Sequence, residues 1–359
     1  MTTRRTRWSF FMALAMGSAA CGTLLGDVPD GRLEPDPDGG SPPSLTPDGS
    51  AAESGDGAPS GPPGWICVLR NGVVLDLAVD DDSIYWLRRG QDHAVEACPK
   101  GGGNVRTLAT LPASATPPEA IALSDKYVFW SIGDDVWRGD KKNGLEDTAP
   151  WKSPGQAGPL ASANGYLIAG THAGHIYIYS VNTGTQTAHL TGQGNVRNMA
   201  IDGATDTIYY SMRGSNDIRV SRGSGSGNPT TFATTTAPFF LTFDQNALYW
   251  AATATGGTIV EFQCLNGCAR RTLASAPGDF TSLAVQSGGV YWTVNEQDTA
   301  KLRGCSNRNN PTATCPDGTS HDPPLWTGKA NVSRIALDAS DIYLAATFGA
   351  DTYIIKRPR

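Results

Sequence analysis

The feature that most constrains this chain is a short sequence pattern that recurs seven times. Each copy follows the order apolar-Ala-apolar-Asp, a few variable residues, and then an apolar residue, an aromatic residue and Trp, with substitutions in individual copies. The copies recur about every 40 residues, a period typical of β-propeller blades. They are Leu77–Trp86, Ile121–Trp130, Leu160–Ala169, Met199–Tyr210, Leu241–Trp250, Leu283–Trp292 and Ile335–Leu344.

Each repeat has the pattern of four short strands, which we name A to D. The apolar-Ala-apolar segment predicts strand A, and the aromatic segment after the Asp-containing turn predicts strand B. A polar loop and strand C follow, and a Gly-bearing turn then leads to strand D. Ala94–Ala97 is an example of a predicted strand C, and Arg106–Ala109 of a strand D. We find no long stretch with a helical period, so the chain is predicted to be all-β: a seven-bladed β-propeller of four-stranded blades.

The two ends of the repeat region predict how the ring closes. The seventh repeat stops after strand C, whereas Trp65–Arg70 precedes the first strand A and has the pattern of an isolated strand D. If this N-terminal strand pairs with the C-terminal blade, the ring closes without an unpaired edge. The propeller domain is therefore predicted to cover residues 65–359.

Residues 1–21 have the pattern of an export signal. Arg4, Arg5 and Arg7 precede an apolar run over residues 8–20 that is too short to span a bilayer. The run ends at Ser18-Ala-Ala-Cys21, which resembles the lipobox of bacterial lipoproteins, although that family usually has an aliphatic residue at the position of Ser18. The alternative is an ordinary signal peptide followed by an incidental cysteine.

The resemblance implies that Cys21 is lipidated and becomes the mature N-terminus. It further implies an exported protein of a Gram-negative bacterium, held at the cell envelope by its lipid anchor. We expect the outer membrane, with the domain in the periplasm or at the cell surface. Residues 22–64 are rich in Gly, Pro and Asp. Such a segment buries too little apolar surface to order itself, so a disordered tether is predicted.

Six cysteines remain after Cys21, and an even number in an oxidising compartment favours disulfide bonds. Short spacings suggest local pairs, Cys264 with Cys268 and Cys305 with Cys315, which leaves Cys67 with Cys98. The alternative is a metal site, for which only the spacing of the Cys264/Cys268 pair is suitable.

Composition and motifs limit the possible chemistry. The net charge is −6, and a nucleic-acid partner is not predicted because phosphate binding needs clustered Lys and Arg. We identify no catalytic constellation and no resident metal ligand set. His172 and His175 are the only close pair of histidines, and two imidazoles without a third ligand are more typical of a surface loop. No cofactor is predicted, and a structural Ca²⁺ or Mg²⁺ ion stays open.

The B–C loops carry many of the polar residues. In a propeller these loops gather on one face around the central channel, where ligands usually bind, although solvated loops are polar in any case. The candidate binding face comprises Arg88, Arg89, Asp92, His93, Asp134, Asp135, His172, His175, Arg213, Asp217, Glu296, Asp298 and Asp351.

Three copies of the repeat resemble those of bacterial exported lipoprotein propellers of the TolB-like and NHL-like group: Ser83–Trp86, Ala247–Trp250 and Gly289–Trp292. The resemblance covers residues 65–359 and implies an architecture, because propellers have many functions. We expect a non-enzymatic module that binds a protein or glycan partner in the cell envelope. The alternative is a metal-dependent lyase or hydrolase acting at the channel mouth.

Overall fold

The structure is a computed structural model of the chain. It describes residues 61–111, 116–145, 149–223, 228–244, 246–254, 257–265, 270–276, 278–297, 299–306 and 325–359. The predicted signal peptide, Cys21 and the linker up to residue 60 lie outside the described residues. The described part contains strands and turns, and it has no helix long and apolar enough to cross a membrane.

The strands form antiparallel four-stranded sheets. Six of them run in chain order from A to D, and the seventh takes its strand D from the start of the described chain. The first blade is β2 (Val73–Val79), β3 (Ser83–Arg89), β4 (His93–Pro99) and β5 (Arg106–Leu111). The second blade is β6 (Pro118–Leu123), β7 (Tyr127–Ile132), β8 (Asp135–Asp140) and β9 (Gly144–Leu145). The third blade is β10 (Ala157–Ala163), β11 (Tyr166–Thr171), β12 (Ile176–Ser180) and β13 (Gln186–Leu190). The fourth blade is β14 (Val196–Asp202), β15 (Thr207–Met212), β16 (Asp217–Arg222) and β17 (Thr230–Thr234).

The remaining blades follow the same plan. The fifth blade is β18 (Phe239–Asp244), β19 (Ala247–Ala254), β20 (Gly257–Cys264) and β21 (Arg271–Ala276). The sixth blade is β22 (Asp279–Gln286), β23 (Gly289–Glu296), β24 (Thr299–Ser306) and β25 (Trp326–Gly328). The seventh blade is β26 (Asn331–Leu337), β27 (Asp341–Phe348), β28 (Asp351–Pro358) and β1 (Trp65–Leu69). The predicted all-β, seven-bladed propeller is confirmed.

The ring closes as predicted. Strand β1 pairs antiparallel with β28 and supplies the outer strand of the last blade, so that strands from both ends of the described chain complete one sheet. The predicted strand ended at Arg70, whereas β1 ends at Leu69. Arg70 instead directs its guanidinium to Asp351, with Nη1 2.5 Å from the carboxylate oxygen Oδ2.

The aromatic part of the repeat packs between neighbouring blades. Because successive strand residues face opposite sides of a sheet, Tyr85 and Trp86 enter different interfaces. Trp86 packs between the seventh and first blades, and Tyr85 between the first and second. The same alternation places Tyr249 and Trp250 on opposite sides of the fifth blade. Each aromatic pair therefore contributes to both interfaces of its blade.

The Asp of the repeat forms the turn between strands A and B. In the first blade, Oδ1 of Asp80 accepts hydrogen bonds from the backbone N–H groups of Asp82, at 2.9 Å, and Ser83, at 2.8 Å. Asp338 accepts the same pair of bonds from Ser340 and Asp341 in the seventh blade. The aspartate side chain thus supplies an acceptor for the backbone N–H groups of a tight turn, which explains why the repeat contains an aspartate at this position.

Candidate binding site at the channel mouth

Strand A of every blade carries an irregularity near its start, where its register to strand B shifts. A bulge of this kind re-aims side chains and is common beside binding sites. The seven shifts lie between Val74 and Asp76, Pro118 and Ile121, Ala157 and Leu160, Val196 and Asn198, Phe239 and Thr242, Phe280 and Ser282, and Val332 and Arg334.

Polar side chains at these irregularities connect neighbouring blades. Oδ2 of Asp76 accepts a hydrogen bond from the backbone N–H of Ile121 in the next blade, at 2.9 Å. Oδ1 of Asn198 accepts the corresponding bond from Leu241 at 2.7 Å. In both cases the donor is the first residue of the next repeat. The bulges thus give the inner ring of strands a system of hydrogen bonds between blades.

The A strands enclose a central cavity of about 740 Å³, lined by residues of all seven blades. At the end where the A strands begin, the cavity is surrounded by a group that we call the channel mouth. The channel mouth comprises seven residues that line the cavity, Asp76, Glu119, Arg197, Arg213, Phe239, Phe240 and Arg334, together with His172, which contacts Glu119, and Phe280, which contacts Phe239 and Phe240. All are only partly buried except Arg213, which is exposed. Their side chains therefore remain available to a bound molecule.

Two of the three channel-mouth arginines lie near carboxylates. Arg334 Nε is 3.6 Å from Asp76 Oδ1, which joins the seventh blade to the first. Arg213 Nη2 is 3.9 Å from Glu119 Oε1, so this contact is loose. The other oxygen of Glu119, Oε2, is 2.6 Å from His172 Nε2. Nδ1 of His172 lies 3.0 Å from the Asn195 side-chain oxygen, which fixes the orientation of the ring.

Arg197 differs from the other two arginines. Among the described residues, no carboxylate lies within 4.0 Å of its guanidinium, which instead lies over the ring of Phe239, 4.9 Å from the centroid. Burial in the channel, together with the charge of Arg213, lowers the pKa of Arg197. Burial likewise raises the pKa of Asp76, against the opposing influence of Arg334. Within the described residues, the charge of Arg197 therefore has no carboxylate partner within 4.0 Å.

Three phenylalanines form the apolar part of the channel mouth. The ring centroids of Phe239 and Phe240 are 5.3 Å apart, and Phe280 lies 5.9 Å from Phe239 and 5.8 Å from Phe240. The guanidinium of Arg334 lies 5.5 Å from the Phe240 ring. Phe240 has a backbone φ of 50°, in the left-handed region that bulky residues rarely adopt. Such strain persists where the surroundings impose it, commonly at binding sites.

The structure brings His172 and Arg213 of the predicted face together at Glu119. His175 does not join them. Its Nδ1 instead lies 3.2 Å from Nε2 of His189, and the His189 ring stacks on Tyr177. Burial, and secondarily the neighbouring His175, lower the pKa of His189. The two histidines that are close in sequence therefore face different partners, and no group of three potential metal ligands occurs in the described part of the chain.

Most of the other residues of the predicted binding face contact groups in their own blade or in an adjacent segment. Arg88 binds Glu96 at 2.9 Å and the carbonyl of Asp92 at 3.1 Å, and His93 is buried. Asp134 accepts the backbone N–H of Gln156. The remaining side-chain contacts join Asp135 to Ser153, Asp217 to Thr234, Glu296 to Lys301, and Asp351 to Arg70. Arg89 is exposed and Asp298 lies outside the described residues. A binding role for this set stays a prediction.

The structure describes both cysteines of one predicted pair and a single cysteine of each of the other two. The predicted disulfide bond between Cys67 and Cys98 is present and joins β1 to β4. Cys305 is disulfide-bonded, but its predicted partner Cys315 lies outside the described residues. Cys268 lies outside them as well, so the pairing of Cys264 stays a prediction.

Sequence reasoning missed most of the channel mouth. Asp76, Phe240 and Arg334 directly precede a copy of the repeat, at the bulge, and the pattern begins one residue too late to include them. Arg197 lies one residue before Asn198, which occupies the corresponding position in the fourth blade. A comparison of the residues just before each repeat would have identified these positions as a ring.

A second cavity, of about 730 Å³, lies against A–B turns on the opposite face of the propeller. It contains Asp80 and Lys141, whose side chains are 2.8 Å apart and link the first blade to the second. These charges therefore satisfy each other, unlike Arg197 at the channel mouth.

Comparisons with known proteins identify the fold. No protein-family model matches the chain, and no curated protein matches its sequence. The WD40 β-propeller domain of Doa1 is similar in structure, with a TM-score of 0.60 and 10% identity, covering 81% of this chain and 95% of that one. A chain of the mitotic checkpoint complex has a TM-score of 0.62 and 16% identity, covering 86% and 98%. The WD40 domain of Toxoplasma gondii coronin has a TM-score of 0.58 and 9% identity, covering 81% and 84%. The chain is a seven-bladed β-propeller with WD40-like structural neighbours.

Proposed function

We propose that the chain is a cell-envelope lipoprotein whose propeller is a non-enzymatic binding module for a protein or glycan partner, and that the partner binds at the channel mouth. The observation that carries the proposal is Arg197, a partly buried guanidinium at the channel mouth for which the described residues supply no carboxylate. A guanidinium that is partly removed from water and has no carboxylate partner is stabilised by a bound anion. The WD40-type neighbours share the fold alone and leave the partner open.

The binding role is tested by charge reversal. Arg213→Glu is the informative variant because Arg213 is exposed, at the channel mouth and only loosely paired. Arg222→Glu, at the far end of β16 in the same blade, is the matched control. After cross-linking in the intact envelope, we expect the partner to be recovered with wild type and with Arg222→Glu, and to be lost with Arg213→Glu. Equal recovery from all three would reject the channel mouth as the binding site.

The lipid anchor is supported by the lipobox-like sequence that ends at Cys21, and Gly22 is compatible with sorting to the outer membrane. An acyl chain at this cysteine would hold the propeller at the membrane through the linker. We expect labelled palmitate to be incorporated into wild type and not into Cys21→Ala. A wild-type chain that takes up no label would indicate an ordinary signal peptide.

The alternative is an enzyme acting at the channel mouth, and the short contact between Glu119 and His172 is the observation that bears on it. A carboxylate beside an imidazole can serve as a general base. If the enzyme depends on a metal, elemental analysis of the purified chain should detect a stoichiometric ion that is lost in His172→Ala. We expect no metal above background, and a bound ion would favour the enzyme.

A further inference from the structure

The charge distribution of the channel mouth favours the binding of an anion. Arg197 and Arg213 line the same cavity, and burial followed by the charge of Arg213 lowers the pKa of Arg197. Glu119 compensates little for this repulsion, because its Oε1 is 3.9 Å from Arg213 while its Oε2 is engaged with His172 at 2.6 Å. A bound anion would relieve the repulsion. A carboxylate suits this position because its two oxygens match the donor geometry of a guanidinium.

The apolar part of the channel mouth favours a ligand that carries an aromatic ring near its carboxylate. Phe239, Phe240 and Phe280 lie in tilted or edge-to-face contacts and are only partly buried, so each ring retains surface for another aromatic group. The Arg197 guanidinium is 4.9 Å from the Phe239 centroid. A ligand that binds Arg197 through an anionic group and Phe239 through a ring must therefore have these two groups joined by a short chain.

The size of the cavity limits what can enter. A volume of about 740 Å³ is within the range of small-molecule sites and far smaller than a folded protein domain. Either a free small molecule or the end of a polypeptide chain fits such a space.

We infer that the channel mouth binds an arylalkyl carboxylate, with the carboxylate between Arg197 and Arg213 and the ring against the three phenylalanines. This inference rests on the proposed binding function and names its ligand class. The same chemistry is present in a free arylalkyl acid and in the C-terminal phenylalanine of a peptide.

The test is calorimetric titration of the full chain, purified in detergent, with hydrocinnamate and with its neutral amide. A second arm uses a short peptide ending in phenylalanine and the same peptide amidated at its C-terminus. We expect at least one acid to bind, and to bind at least about tenfold more tightly than its amide, since only the carboxylate is negatively charged and can accept from a guanidinium through two oxygens. Tighter binding of the peptide identifies a chain terminus as the source, and tighter binding of hydrocinnamate identifies a free acid.

Variants locate the binding. Arg197→Gln and Phe280→Ala should each weaken binding of the acid at least about tenfold, whereas Arg222→Gln should leave it unchanged. Unfolding midpoints close to wild type show that the variants are folded. Equal affinity for acid and amide, no binding of either acid, or full binding by Arg197→Gln would overturn the inference. If the acids fail to bind while partner recovery still depends on Arg213, the ligand class is wrong and the proposed function stands.

Discussion

Cys67 and Cys98 form a disulfide bond that joins β1, the strand that closes the ring, to β4 of the first blade. The bond therefore links the first blade to the seventh, whose sheet contains strands from both ends of the described chain. Both cysteines are buried, so replacing them by alanine removes the cross-link without burying a new polar group.

We expect Cys67→Ala/Cys98→Ala to unfold more readily than wild type. Closing a loop with a sequence separation of 31 residues restricts the unfolded chain, and its loss lowers the free energy of unfolding by roughly 3–4 kcal/mol. The measurement is urea unfolding without reductant. An unchanged midpoint would show that hydrogen bonding between β1 and β28 alone is sufficient to close the ring.

A second contact between the same two blades is expected to weaken in acid. Lys100 Nζ of the first blade lies 2.5 Å from Oδ2 of Asp338, which also accepts a hydrogen bond from Tyr343 Oη at 2.8 Å. Burial opposes ionisation of Asp338, but the hydrogen bonds from Lys100, the adjacent backbone and Tyr343 outweigh it and hold the pKa well below its usual value. A carboxyl with a lowered folded-state pKa stabilises the fold above its unfolded pKa of about 3.9, and this contribution is lost as the pH falls through the folded value.

We therefore expect Asp338→Asn to lower the free energy of unfolding by about 1–3 kcal/mol at neutral pH, and the difference from wild type to narrow progressively below about pH 4. Denaturant unfolding over this pH range provides the measurement. Asp81→Asn, an exposed aspartate in the first A–B turn, is the control and should change little at any pH. A difference that persists undiminished in acid would contradict the assignment.

The bulge hydrogen bonds give a third prediction. Asn198→Ala leaves the backbone N–H of Leu241 without its acceptor inside the inner ring, which should cost about 1–3 kcal/mol. Asn198→Asp keeps an acceptor oxygen at the same place, as Asp76 does in the first blade, and should cost clearly less. Urea unfolding of both variants measures the difference. Equal losses would show that the side chain contributes through packing and not through this bond.

The repeat predicts the fold because its physical roles are local. The aromatic pair is buried on two sides of a strand wherever it occurs, and the Asp forms a turn with its own neighbours, as Asp80 does. Seven copies thus predict seven blades, and the isolated strand at Trp65 predicts the closure.

The channel mouth was not predictable in the same way, because it forms from residues that are distant in sequence. Asp76 and Arg334 come from the first and seventh blades and meet only when the ring is closed. His172 and His175 show the converse relationship. They are neighbours in sequence, but a hydrogen-bonded turn between Thr171 and His175 directs their imidazoles to different partners.

Trp250 and Trp292 are buried at equivalent positions of neighbouring blades. They pack similarly but differ in the hydrogen bonding of their indole N–H groups. Trp250 donates from Nε1 to Oε2 of Glu261 at 2.8 Å, and the same oxygen accepts a bond from Thr235 at 2.6 Å. Trp292 is equally buried, yet its Nε1 has no hydrogen-bond partner among the described residues.

Replacing either tryptophan by phenylalanine removes the same atoms from the same kind of interface. Trp250→Phe additionally removes a donor from the buried Glu261 carboxylate. We therefore expect Trp250→Phe to destabilise the fold by about 1–3 kcal/mol more than Trp292→Phe. The free energies of unfolding in urea provide the comparison, and Trp130→Phe, whose Nε1 likewise lacks a partner among the described residues, repeats the control in the second blade. If all three variants lose the same stability, the hydrogen bond to Glu261 contributes nothing beyond the packing of the ring.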